Sequence, residues 1–502
     1  MAEVRRALPA VAAATLIGGT VILAFFSGGY FDRPRIGAAI VAWGLVALAA
    51  IFGRQPLPRS TAGRVALAGL IGFCAWTALS ISWAPLAGRA EDDLQRLLLY
   101  LGAFLAAMAW FRDARVRRWV EPAVAFGVLV VIVYGLSERL LPGLIELDRS
   151  RTSSGRLEQP VTYWNALGLL AVVGLLLAIR VAGAPERPRA LRGAAAAAGV
   201  PIALGVYLSF ARGALAALAV GLLVIVALAP GIRLQLRAIV AVLGAGTFVV
   251  LVASRLPTVE SLPLHAQGDT GDGLIALAAL LIGCAAAPTI ALATSRRRLP
   301  APRLPASRAV TVLTASVLVM LAGGVVVAAF EGKPDSVSPV QGADPGRLAS
   351  IDTNRYRYWD VALREFTRHP VAGLGSGGFS VVWLKERDRV DRAADAHSLY
   401  IETLSELGAV GFLFLMLFGG GVAAALVRLY RRDPGAAAGV TAAVVAWACH
   451  AGLDWDWEVP AATLPAVLLA ACAVAWSEEP RERPAAQVSQ LGRPAESRAM
   501  IC

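Results

Sequence analysis

The chain has 502 residues, of which 57% are apolar and 16% charged, with a mean hydropathy of +0.64. A soluble chain carries charge on about a quarter of its residues, so these values exclude an array of soluble domains and call for spans of about 20 apolar residues each. The net charge of +12 does not call for nucleic acid, because cytoplasmic loops of membrane proteins collect Arg and Lys.

In chain order, MAEVRRALPA is a basic start leading straight into an apolar stretch. No A-x-A-like site precedes a mature soluble domain, so this stretch reads as a retained span rather than a signal peptide. Apolar stretches then predict spans at 8–26, 36–53, 65–83, 97–111, 119–136, 164–180, 193–209, 213–229, 237–254, 273–294, 309–330, 403–427, 437–453 and 460–476. The predicted fold is an all-α polytopic membrane protein of about 12–14 transmembrane helices. Residues 1–330 form an N-terminal bundle, 331–402 one large extracytoplasmic loop with short amphipathic helices, and 403–476 the C-terminal spans. The polar, Pro-containing stretch 477–502 reads as a disordered cytoplasmic tail.

Charge sets the orientation. With the N-terminus inside, the inside segments contain Arg5 and Arg6, Arg54 to Arg64, Arg112 to Arg118, Arg180 to Arg192, Arg233, Arg237, Arg296 to Arg308, Arg428 to Arg432 and the tail's Arg481 to Arg498, and more than half of the 47 Lys and Arg fall inside. The positive-inside rule then predicts an inner-membrane protein with both termini cytoplasmic and the long loop outside. The cysteines Cys74, Cys284, Cys449 and Cys472 lie in apolar stretches and Cys502 is the last residue, which gives no disulfide framework.

Within the loop, a Gly, Pro and Ser-rich linker at 331–350 precedes TNRYRYWDVALREFTRHPVAGLGSGGF. Thr353 or Asn354 is placed to cap a helix. Trp359, Ala362, Leu363 and Phe366 give it one apolar face. His369-Pro370 ends it, and Gly373, Gly375, Gly377 and Gly378 make a tight turn. AHSLYIETLSELGAVGFLF then starts a helix that enters the membrane. Asp395 is placed to cap it, which puts His397 in the first turn. There the helix dipole disfavours the imidazolium and leaves a neutral ring that accepts a proton.

Each polar candidate has two readings at this stage. His397 is a base or an exposed loop histidine. Arg212, alone between two apolar spans on the outer side, is a functional arginine or one that snorkels to the interface. Arg355 and Arg357 are phosphate-binding forks or a solvated basic face. Asp454, Asp456 and Glu458 in LDWDWEVP are ligands of a divalent cation or an interfacial patch between the belt residues Trp455 and Trp457. No Cys/His cluster has zinc spacing, there is no P-loop, and GLGSGG follows no strand. The expectation is no resident metal and no cofactor.

Four stretches carry a family resemblance: GRLEQPVTYWNALG (155–168), LSFARGALAAL (208–218), NRYRYWDVALREFTRHPVAGLGSGGF (354–379) and AHSLYIETLSELGAVGF (396–412). Together they resemble the O-antigen ligase family, which includes O-antigen polymerases and protein O-oligosaccharyltransferases. The resemblance implies a glycosyltransferase of surface-polysaccharide biosynthesis, with a polyprenyl-diphosphate-linked glycan as donor. The acceptor is a lipid, glycan or protein, and lipopolysaccharide is one case. It implies that Arg212 and Arg355 hold the diphosphate, with Arg357 and Asn165 as further substrate-binding positions, and that His397 activates the acceptor. A polymerase joining lipid-linked repeats is the nearest alternative. A lipid-glycan flippase is an alternative of another class, and it predicts inverted repeats of which the sequence shows no clear sign.

Overall fold

The computed structural model describes residues 2–293, 343, 355–387 and 393–479. Among these, every regular element is a helix: α1 (Ala2–Ala24), α2 (Asp32–Ile51), α3 (Thr61–Ser80), α4 (Ala87–Trp110), α5 (Ala114–Leu140), α6 (Trp164–Ala182), α7 (Arg189–Leu208), α8 (Arg212–Leu228), α9 (Ile232–Ala253), α10 (Pro257–Glu260), α11 (Thr270–Leu292), α12 (Arg355–Arg368), α13 (Phe379–Glu386), α14 (Leu399–Arg432), α15 (Pro434–Ala451) and α16 (Pro460–Glu478). Eleven of them are long and apolar enough to cross a membrane. The chain is therefore an all-α, multi-pass membrane protein. Of the other expected spans, α8 is apolar but has 17 residues, and α4 begins with the charged stretch Arg89 to Arg96 before its apolar part. The expected span 309–330 lies outside the described residues, as do most of the linker 331–350, the caps Thr353 and Asn354, and the tail from 480 onward.

Apolar composition alone does not say which helices are central. α6 and α16 are buried along their whole length, whereas α2 exposes Ile40, Val41 and Ile51. α3 and α14 approach backbone to backbone. A methyl group at Gly69 would lie 2.3 Å from the backbone nitrogen of Phe418, and one at Gly421 would lie 2.4 Å from that of Ala66. Small residues let membrane helices meet backbone to backbone, where no water-driven hydrophobic effect assists them.

Three sequence expectations need correction. The tail was expected from 477, but α16 continues to Glu478, whose carboxylate accepts hydrogen bonds from Ser60 N (2.9 Å) and Arg112 Nη2 (2.7 Å). On α12 the buried face is Tyr358, Val361, Ala362 and Glu365, and Leu363 is exposed. The face is rotated because Tyr358 packs edge-on against Trp383 of α13, 4.7 Å between ring centres. Finally, α14 starts at Leu399 with Ser398 as its cap. His397 precedes that cap in the left-handed region, at φ 57°.

Within α14, Gly408 has φ 64° and ψ −166°, which breaks the helical ladder. A loop segment takes up the released groups. Ala409 N donates to Pro370 O (2.8 Å) and Val410 N to Val371 O (3.3 Å). On the other side of the break, Leu374 N donates to Ser405 O (3.0 Å) and Gly375 N to Glu406 O (2.8 Å). The Glu406 carboxylate accepts from Gly377 N (2.8 Å) and Phe379 N (2.9 Å). The predicted glycine turn is thus fixed to a helix kink, a common cause of bending where a group enters the ladder.

Candidate active site

The turn between α15 and α16 carries LDWDWEV, and it gathers side chains from across the bundle. Asp454 is 1% exposed. Its carboxylate accepts from Tyr163 Oη (2.6 Å) and Asn165 Nδ2 (2.6 Å), and it forms an ion pair with Arg355 at the start of α12. Asn165 also donates to Tyr163 Oη at 2.9 Å. Burial alone would push the Asp454 carboxyl up. The Arg355 guanidinium, with help from His397 and His450, outweighs burial and holds it below the usual carboxylate range.

Arg212 is placed relative to this turn only through its neighbour. It opens α8, and its neighbour Gly213 faces His450 of α15. A methyl at Gly213 would lie 3.0 Å from His450 Nε2. The other ring nitrogen of His450 bonds Asp456 at 2.5 Å. Asp454 and Asp456 therefore engage different partners. Glu458, two residues further, pairs with Arg96 of α4.

His397 lies between Tyr358 (5.2 Å between ring centres) and Trp455 (6.1 Å). Trp455 in turn packs on Tyr163 at 4.5 Å. His397 Nδ1 is 2.9 Å from the backbone oxygen of Asp395. A carbonyl oxygen only accepts, so Nδ1 carries the proton, and in the neutral ring Nε2 is left with a lone pair. This tautomer argument replaces the helix-dipole argument, because His397 is not in the first turn of α14.

Asn165, Arg355 and His397 thus meet around Asp454 and Trp455, and Arg212 precedes the glycine that faces His450. Arg357 lies two positions beyond Arg355 on α12, and residues at that spacing do not share a helix face. Sequence reasoning set His450 beside the acidic cluster as a residue of one cavity or of the bundle, and missed that Tyr163 and Asn165 join Asp454 and Trp455 in one assembly. The available signal was the pair of acids alternating with tryptophans at a span end, which was read only as a cation site or a belt.

Residues 273–416 match the family model described as O-antigen ligase. That segment is similar to the O-antigen ligase family. The matched segment runs from α11 into α14 and contains Arg355, Arg357 and His397. Asn165, Arg212 and Asp454 lie outside it. Members of this family are glycosyl-transferring enzymes that act on lipid-linked glycans in a membrane. A search of curated proteins gave no match.

Proposed function

We propose that this chain transfers a glycan from a polyprenyl-diphosphate carrier to an acceptor hydroxyl on the outer side of the inner membrane, with both termini cytoplasmic. The observation that carries this reading is the convergence of Arg355, Asn165 and His397 on one buried turn.

In the proposed reaction the acceptor oxygen attacks the anomeric carbon. The bond from that carbon to the diphosphate oxygen breaks, and the acceptor proton goes to His397 Nε2. Polyprenyl diphosphate leaves with the electron pair, and inversion at the anomeric carbon is the simplest outcome. The leaving group needs charge stabilisation rather than a general acid, and Arg212 and Arg355 supply it in a site with little water. Asp454 occupies the Arg355 guanidinium before the donor arrives, so the donor phosphate shares that cation or displaces the carboxylate. General base catalysis contributes about 10²–10⁴-fold.

The test uses purified protein in lipid nanodiscs with a polyprenyl-diphosphate oligosaccharide and a candidate acceptor. Release of polyprenyl diphosphate together with a mass-matched glycosylated acceptor is expected. A product made of two joined donor glycans identifies a polymerase. Movement of intact donor across the bilayer without release would overturn the reading in favour of a flippase.

A further inference from the structure

Beside the candidate active site, carboxylates from four segments converge. They are Asp93 of α4, Asp395 of the loop, Glu402 and Glu406 of α14, and Glu458 of the acidic turn. Arg96 enters the group, bonded to Asp93 at 2.9 Å and to Glu458, and Arg89 is near enough to act on Asp395. Two guanidinium groups do not neutralise five carboxylates.

Some of the five are already committed. Glu406 accepts two loop N–H groups. Asp93 accepts from Ser376 and Arg96. Glu458 pairs with Arg96 and Glu402 accepts from Ala396 N at 2.8 Å, and one oxygen from each of Asp395, Glu402 and Glu458 lies within 4.8 Å of the others. Burial pushes the Asp395 carboxyl up to about 6, and it pushes that of Glu458 well above the usual range.

A second observation is the buried hydroxyl of Thr77. A cavity of about 30 Å³ is lined by Glu402, Glu458, Arg96, Trp455, Trp457 and Thr77 among others, enough for a single ion or water. Thr77 is 0% exposed, and its hydroxyl has no hydrogen-bond partner. A neutral oxygen thus lines the same cavity as two of the carboxylates. An all-oxygen set of this kind suits calcium, magnesium or manganese rather than zinc or copper.

We propose that Asp395, Glu402 and Glu458, with the Thr77 hydroxyl beside them, bind one hard divalent cation. The ion joins the segment two residues before His397 to the outer end of α14 and to the turn that carries Asp454. Its binding does not depend on the glycosyl-transfer reading.

The test takes the purified full chain in detergent, freed of metal by a chelator, at about pH 7.5. Loss of the free Mn²⁺ spin-resonance signal measures binding. The expected result is one Mn²⁺ per chain, displaced by Ca²⁺ or Mg²⁺, with affinity reduced about tenfold or more in Asp395→Asn and Glu402→Gln. The exposed Asp360→Asn variant should bind as the wild type does. If the acidic variants fail to fold, Tb³⁺ on the wild-type fold locates the ion. Tryptophan-sensitised emission should be strong in the wild type and much weaker in Trp457→Phe at equal stoichiometry. Absence of saturable binding at millimolar cation, unchanged affinity in folded acidic variants, or unchanged emission in Trp457→Phe would each overturn the proposal. Absence of binding would mean that the carboxylates hold protons instead.

Discussion

Replacing Arg355 by alanine separates structural from chemical roles. The change leaves Asp454 buried without its ion-pair partner, although Tyr163 and Asn165 still donate to it. Breaking a buried pair from one side costs about 3–5 kcal/mol. Because the Arg355 side chain is 22% exposed and two donors remain, the low end, about 3 kcal/mol, is expected. The double variant Arg355→Ala/Asp454→Asn removes both charges, so most of that loss should return. Activity should behave differently. Losing a charge-assisted contact to the donor phosphate costs about 1.5–3 kcal/mol, or about 10- to 150-fold in kcat/KM at 1.4 kcal/mol per tenfold, in the single and double variants alike. The assay pairs thermal unfolding in detergent with release of polyprenyl diphosphate. Wild-type turnover in the double variant would refute a donor role for Arg355, and an unchanged unfolding temperature in the single variant would refute the buried pair. The pair also sets a pH sign. The Asp454 carboxyl is held below its ordinary value, so its contribution is present above the unfolded value of about 3.9 and lost as pH falls through the lower folded one. The stability gap between wild type and Asp454→Asn should stay constant from about pH 8 to 5 and close only below about pH 4.

His397→Ala should cut turnover by about 100-fold while leaving donor affinity nearly intact, measured by single-turnover kinetics and donor binding on the same preparation; loss of donor binding with unchanged chemistry would make it a phosphate ligand. Arg212→Lys keeps charge but not the planar fork, so turnover should fall at normal expression, and near-wild-type rates would mean interfacial anchoring. Gly408→Ala places a methyl 2.2 Å from Val371 O at positive φ, and chemical unfolding should show a loss of about 1–3 kcal/mol. In a variant lacking the native cysteines, Thr367→Cys should label with an impermeant thiol reagent in cells whose outer surface is accessible and Thr61→Cys should not; the reverse would invert the proposed orientation.

Much of the helical plan was legible because a span needs only length and apolarity, and those are local properties. The site was legible in its parts. Arg355, Asn165 and His397 stood in recognisable stretches, but what unites them is Asp454, far along the chain in a turn with no motif. Spacing also misled on α12. A helical pattern names a stripe, but the partner fixes its angle, and here Trp383 draws Tyr358 inward at the expense of Leu363. The start of α14 was misread because Ser398, rather than Asp395, provides the capping oxygen, and Asp395 faces other carboxylates. Two adjacent acids such as Asp454 and Asp456 suggest one shared ion, and no local rule announces that a histidine and an arginine will take one each.

The order of synthesis gives the acidic turn a further consequence. Asn165, Arg212, Arg355 and His397 all leave the ribosome before Asp454, and α16, buried along its whole length, follows the turn. Until that last hairpin is inserted, Arg355 has no Asp454 and the centre of the bundle has no α16. The earlier helices must therefore wait in the bilayer around a gap that lipid or an insertion factor fills, and a chain cut short before Leu453 would be membrane-embedded yet lack the turn on which its site is built.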